Sequence, residues 1–155
     1  MWAAEQADLI QRRLARVQTS LYASKEYLDK AGSPRTPQDL DNHRIIAYGD
    51  LRNSPLGDVN WAQRAGRDDK PLREASIMVN NVFAMLRAVD AGLGIADIPD
   101  YMVGSFPGLE KVLPDLEGPS FELYFIYPSD LRTSKRVAAF RDFLTAEVAA
   151  LQNRQ

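Results

Sequence analysis

The chain has no cysteine and only one histidine. The first absence removes disulfides, thiolate metal sites and cysteine nucleophiles together. The second removes a Cys–His pair and any clustered-histidine metal site. Any Ser-His-Asp arrangement would rest on His43 alone, in the turn-like segment DNHR. Positive charge is not in excess either: 19 Lys and Arg face 21 Asp and Glu, a formal net charge of −2. Neutralising phosphates takes clustered cations, so this chain by itself is not expected to bind nucleic acid. No apolar run approaches the roughly 20 residues of a membrane helix, and the start MWAAEQADLIQRR lacks a signal peptide's hydrophobic segment. These absences predict a soluble, cytoplasmic chain that meets no membrane. Asp39, Asp41, Asp68 and Asp69 lack the interleaved oxygen ligands and glycine of a calcium loop and read as turn and cap residues. No catalytic residue, metal site or cofactor is expected.

What is present is concentrated between Ser76 and Pro99, in SIMVNNVFAMLRAVDAGLGIADIP. An apolar run ends at Val79, and Asn80 and Asn81 are N-cap residue types. Val82, Met85, Leu86 and Val89 then recur at helical spacing, and Gly92 stands where a C-cap belongs. The pattern predicts a strand, an Asn-capped helix and a second strand, a βαβ unit. Backbone N–H groups at such a helix start lie beyond the carboxyl end of the preceding strand, where open α/β sheets take ligands, and a small anion would fit there. The glycines of AGLGIA follow a helix and precede a strand, the reverse of a phosphate loop, and so serve turn geometry.

At 155 residues the chain is long enough for one domain or two small lobes. Ile10 to Ala23 reads as strand, Lys25 to Ala31 as a short helix closed by Gly32, Pro37 to Leu40 as a helical turn with Pro37 at N1, and Arg44 to Tyr48 as strand. Gly49 to Gly57 reads as loop, Val59 to Ala62 as a strand bearing Trp61, Gly66 to Lys70 as a polar turn, and Arg73 to Val79 as a strand completing a hairpin. Tyr101 to Phe106 is a short helix, while Gly108 to Leu113 and Phe121 to Tyr127 are strands. Lys135 to Leu151 is a helix with Val137, Phe140, Phe143, Leu144, Val148 and Leu151 on one broad apolar face.

VNNVFAMLRAVDAGLGIADIPDYMV resembles the effector-binding domain of LysR-type transcriptional regulators, which typically carry a VN-x(n)-AGLGIA-x-x-P pattern. Three further segments agree in order: RRLARVQTSLYASKEYLDKAGSPRTPQDLDNHRIIAY, LEKVLPD and LYFIYPS with the helix after it, so that the resemblance runs from about residue 8 to residue 148. It implies an α/β, type II periplasmic-binding-protein-like fold with one complete lobe plus part of the second. Residues 18–120 would approximate the second lobe, and 1–17 with 121–155 the crossover strands and a remnant of the first. The family's winged helix-turn-helix and the first half of its first lobe have no counterpart here. Met1 is accordingly either an internal residue of a longer protein or the start of a truncated form, and both readings stand.

The same resemblance implies a bacterial sensor of a small-molecule effector, a carboxylate among the candidates, and not an enzyme. Asn80, Asn81, Val82 and Phe83 would line the effector site at the strand-to-helix junction. Tyr48 and Gly49 would join from the end of IIAYG, and Ile98 and Pro99 from the end of AGLGIADIP. Each has a plainer reading: the asparagines as caps, Phe83 as core, Tyr48 as a half-buried strand residue. Asp97 reads as an exposed strand-end residue, and Arg12 or Arg13 as a solvated cation that could also help neutralise a carboxylate. DNA contact would come only through the absent N-terminal domain, and RNA polymerase would be a partner of the intact regulator. The incompletely covered Lys135 to Leu151 face predicts self-association, and the missing wall predicts weakened effector binding. Three alternatives stand beside this reading: a solute-binding protein of a transport system, which lacks its export signal, an enzyme on the same fold, and a truncated chain that pairs with a full-length relative.

Overall fold

The computed structural model describes residues 8–49, 60–67 and 70–152. They fold into two compact units, one of residues 18–119 and one drawn from 1–17 and 120–155. In chain order the elements are β1 (Leu9–Ser24), α1 (Lys25–Ala31), β2 (Ile46–Tyr48), β3 (Ile77–Val79), α2 (Val82–Asp90), β4 (Ala96–Pro99), β5 (Leu109–Val112), β6 (Ser120–Pro128) and α3 (Lys135–Gln152). Short 3-10 turns lie at Pro37–Asn42, Trp61–Gln63, Asp100–Ser105 and Ser129–Leu131.

In the larger unit the carboxyl-terminal part of β1 runs between β4 and β5, antiparallel to both, with Leu21 opposite Asp97 on one side and Val112 on the other. Its residues from Thr19 onward are buried throughout, because both faces of the strand are covered. Alternation sends Leu21 and Ala23 into a cluster with Tyr27, Leu28, Leu40, Ile45, Ile95 and Val112. Tyr22 goes the other way, to Met85, Leu86 and Val89 of α2 and to Ile46, Ala96 and Ile98. The predicted βαβ unit is present, with β2 inserted between its strands. β2 pairs with β3 in parallel, and a parallel bridge from Ile45 to Ile95 joins it to the start of β4.

The glycines of the AGLGIA segment have separate backbone duties. Gly92 follows α2 at φ 73°, a left-handed conformation that lets the Leu93 N–H reach back to the Ala88 carbonyl at 3.0 Å. Gly94 lies where a Cβ would come 2.4 Å from the Arg44 carbonyl oxygen, so its bareness allows the close approach that gives the Ile95 N–H to Arg44 O bond of 2.8 Å.

Two expectations fail in the segment between β2 and β3. The hairpin, expected between a strand at 59–62 and one from Arg73, is absent among the described residues: Trp61 lies in a 3-10 turn where strand was predicted, and β3 pairs in parallel with β2 instead. The expected strand from Arg73 is confined to Ile77–Val79. The cause is Arg73, which is 5% exposed and turns inward. Its Nε donates to Asp41 Oδ1 at 2.7 Å, its Nη1 to the Ala62 and Ala65 carbonyls at 3.1 and 2.7 Å, and its Nη2 to the Pro37 carbonyl at 2.8 Å. The Arg73 N–H and carbonyl in turn meet Gln63, at 3.0 and 2.7 Å. A residue wrapped this way cannot offer its backbone to a strand ladder. The Gly49 to Gly57 loop, Val59 and the Asp68–Asp69 turn fall largely or wholly outside the described residues.

In the smaller unit β6 pairs with the amino-terminal part of β1. Arg13 forms an ion pair with Glu122, and Arg16 Nε donates to Ser120 Oγ at 2.9 Å, so the Arg13 head is already engaged. α3 meets β6 through Phe140, edge-on to Phe125 at 5.8 Å between centroids. As expected of an incompletely covered stripe, Val137, Leu144 and Val148 are only half-buried and Phe140, Phe143 and Leu151 are exposed. Phe121, Leu123, Tyr124 and Ile126 of β6 are exposed as well.

Replacing Arg73 by Met should cost about 3 kcal/mol, because the carbonyls of Pro37, Ala62 and Ala65 lose their donor and Asp41 a partner. The loss is read from the urea midpoint. Arg73→Lys should recover only part of it, since one ammonium cannot span a planar fork of acceptors.

Candidate functional site

Strands β2, β3 and β4 run in parallel, so their carboxyl ends share one edge of the larger unit. Tyr48 and Gly49 end β2 at this edge. The Gly49 N–H donates to the Val79 carbonyl at 2.5 Å, and a Cβ on Gly49 would stand 3.7 Å from that of Asn80. The structure therefore brings Tyr48, Gly49 and Asn80 together. It adds Asn60, which sequence reasoning passes over: its Oδ1 accepts from the Tyr48 N–H at 2.7 Å and its Nδ2 donates to the Tyr48 carbonyl at 2.8 Å. An amide that satisfies both backbone groups of one residue acts as a strand neighbour and pins the end of β2. No periodicity marks such a residue.

Asn81 is the N-cap of α2, its Oδ1 accepting from the N–H groups of Phe83 at 2.8 Å and Ala84 at 3.2 Å. This corrects the expectation of free amides there, because two of the donors an anion would use already have a partner. With Oδ1 committed, the side-chain NH2 of Asn81 is the group left for a ligand, beside the exposed amide of Asn80. Val82 is half-buried. Phe83, which burial statistics assign to the core, is 54% exposed. The Arg87 guanidinium lies over the rings of Phe83 and Phe106, at 5.8 and 5.4 Å from the centroids. An aromatic surface, amide donors and a cation thus lie together on α2 and the turn before it.

Ile98 and Pro99 are placed otherwise. Ile98 is fully enclosed with Met85 and Leu86, and Pro99 is buried opposite Thr19. Their side chains build the edge from beneath. Asp97, read as an exposed strand end, is buried at 5% exposure with Oδ1 unpartnered. Burial pushes its carboxyl up to about 7, partly offset by its own backbone N–H.

His43 has a structural role: Tyr27 Oη accepts from the Arg44 N–H at 3.0 Å and lies 3.1 Å from His43 Nδ1. Burial holds this imidazole below its usual range, against the nearby Asp39 charge, which favours the neutral ring beside the Tyr27 hydroxyl. A cleft of about 300 Å³ lies at the other end of α2, lined by Glu26, Tyr27, Lys30, Arg44 and Gly92. Its cations are engaged, Lys30 with Glu26 and Arg44 with the Gly92 carbonyl and the face of Tyr27. Among the described residues no group of three or more His, Asp or Glu side chains is arranged to hold a metal ion, and no helix is long and apolar enough to cross a membrane.

Asp97 generates a prediction with a definite sign. A carboxyl raised in the folded state favours folding fully below the ordinary carboxylate range, and that contribution is lost as pH rises through about 7. Stability should therefore decline between about pH 4 and pH 7, by a few kcal/mol. Asp97→Asn should flatten this decline and melt above the parent at pH 8. Comparing parent with variant isolates Asp97, because Asp39, held low by the Arg35 and Thr36 N–H groups, acts in the opposite sense at lower pH.

Comparison with known proteins identifies the frame in which this edge sits. The family model described as LysR substrate binding domain matches residues 2–149. The chain is 30% identical over 129 residues to an uncharacterised HTH-type transcriptional regulator of Haemophilus influenzae, covering 81% of this chain and 43% of that protein. It is 31% identical over 153 residues to the uncharacterised HTH-type regulator YhjC of Escherichia coli, covering 92% and 48%. The chain thus spans about half the length of the curated relatives it matches. Its fold is that of the CrgA regulatory domain of Neisseria meningitidis, with a TM-score of 0.77 at 21% identity over 95% of this chain and 72% of that one. The regulatory domain of AphB from Vibrio vulnificus gives 0.69 at 25% identity, over 91% and 71%. These relatives are transcriptional regulators and regulatory domains, not transport proteins. Family match, fold and ordered motifs agree, and the chain belongs to the LysR substrate-binding-domain family, the effector-sensing part of LysR-type transcriptional regulators.

Proposed function

We propose that residues 18–119 form the second lobe of this effector-binding domain and that a small carboxylate binds at the carboxyl-end edge. The observation that carries the reading is the committed Oδ1 of Asn81, which presents its NH2 beside the exposed Asn80 amide and the Phe83 ring. Amide donors suit a carboxylate oxygen, the exposed ring suits an apolar body, and Arg87 adds a cation nearby. Tyr48 and Gly49 form the facing wall, with Val82, Ile98 and Pro99 beneath. In the intact bacterial regulator, acting in the cytoplasm, effector binding shifts the population of domain arrangements and thereby DNA contact and transcription. DNA and RNA polymerase are partners of that longer protein.

A thermal-shift screen with small aromatic and aliphatic carboxylates, benzoate and succinate included, tests the site. At least one should raise the melting temperature, and Asn80→Ala should abolish most of that rise while leaving the unliganded melt unchanged. Asn81→Ala should lower the unliganded melt as well, by about 1 kcal/mol for a lost cap. A carboxylate that stabilises the parent and both variants equally would place the site elsewhere.

We further infer that the exposed apolar face of β6 and α3 is covered by a second copy of the chain, since Phe121, Leu123, Phe140 and Phe143 together leave a large apolar surface in water. Light scattering over a concentration series should show a dimer, and Phe140→Glu should shift it to monomer. A monomeric parent at all concentrations would refute the pairing.

A further inference from the structure

Asp97 is not the only buried group without a partner on its side of the sheet. Trp61 Nε1 is also out of contact with solvent and unpartnered. Register and packing put the two in one layer. Asp97 stands opposite Leu21 and shares its face of the sheet. Leu21 belongs to the core cluster against which Trp61 packs, and the Trp61–Gln63 turn lies directly on β4. The indole packs against Gly118, where a Cβ would come 2.8 Å from Cζ2 and 3.0 Å from Cε2, a carbon that bears Nε1. That same Cβ would stand 2.3 Å from the Thr19 carbonyl oxygen, so only glycine lets the ring lie this close to β1.

The two unpartnered atoms have opposite hydrogen-bonding sense. An indole N–H can only donate, and a carboxyl keeps an accepting oxygen in either protonation state. Each left unpaired in the dry interior costs on the order of 1–3 kcal/mol, and native domains keep few such groups. A guest that accepts from one and donates to the other satisfies both. The guest must be small, because the surrounding layer is closely packed, and it must not be anionic, because the carboxylate would repel it.

We propose that Trp61 and Asp97 form a polar subsite for one neutral hydroxyl oxygen, which accepts from Trp61 Nε1 and donates to Asp97 Oδ1. Water supplies this oxygen in the free protein, and an alcohol group of a bound molecule can supply it in water's place. The subsite stands apart from the carboxylate site on α2 and does not depend on it. It lies one residue inside Ile98, on the carboxyl-end edge.

Proton NMR of the Trp2→Phe chain, which leaves Trp61 as its one indole, reads the subsite directly. The Trp61 Nε1 proton should show cross-relaxation with a long-lived water, and Asp97→Leu should abolish that signal while Asp97→Asn, which keeps an acceptor, retains it. Titration with ethylene glycol separates the two sources. Replacement of the water contact by a contact to glycol protons marks entry of an alcohol, and persistence of the water contact marks a resident water, either result supporting the subsite. Where Asp97→Leu does not fold, Trp61→Phe serves instead, and it should move the Asp97 carboxyl carbon resonance. An indole proton without any contact to a hydroxyl or water proton in the parent, or an Asp97 resonance unmoved in Trp61→Phe, would overturn the proposal. So would direct contact between Nε1 and Oδ1.

Discussion

The buried guanidinium of Arg73 holds together the part of the larger unit that regular secondary structure does not. It gathers Asp41, the carbonyl of Pro37 at the start of one 3-10 turn, and the carbonyls of Ala62 and Ala65 at another. Carbonyls at the ends of short 3-10 turns lack partners of their own, and a planar group with five N–H donors can serve several at once. Its neighbour Arg67 adds a second cation to Asp41 at 3.2 Å. Because Ala62 and Ala65 are anchored this way, Asn60 can clip the end of β2 and Trp61 can seal the core beneath β4. The carboxyl-end edge is thus held in place from behind.

That edge combines two kinds of polar group. Asn60, Asn81 and Gly49 use their hydrogen bonds to finish strands and begin a helix. Asn80, the free NH2 of Asn81 and the Phe83 ring are what remain on the outside. A rigid backbone with a few unspent groups pointing outward is the form a small-molecule site takes on an α/β scaffold. Asp97 belongs to neither set. Its burial carries an electrostatic cost, and this explains why stability should answer to pH near neutrality.

Much of the fold was legible where local rules and tertiary demand agree. α2 is an example: its apolar spacing, Asn81 cap and Gly92 terminus each act within a turn of the helix, so the residues announce the structure. The same holds for Gly32 closing α1 and for Pro37 opening its turn. The segment from Asn60 to Ser76 was misread because its shape comes from Arg73, whose partners lie up to 36 residues away in sequence. Asp97 was misread for a related reason, and only the structure set aside the core reading of Phe83. Exposure of an aromatic and burial of an acid run against residue averages, and only the packing of neighbouring elements sets them.

The sequence by itself determined the family, the order of most elements and the residues at the strand-to-helix junction, because ordered motifs and short-range caps are encoded within a few residues of one another. The tertiary structure decided that β2 enters between β3 and β4 in parallel, that Ile98 and Pro99 face inward, and that Trp61 and Asp97 share a layer. These depend on which face of a strand is covered and on contacts between residues far apart in the chain. Periodicity reports that a strand has two faces, but only packing assigns each face its neighbour.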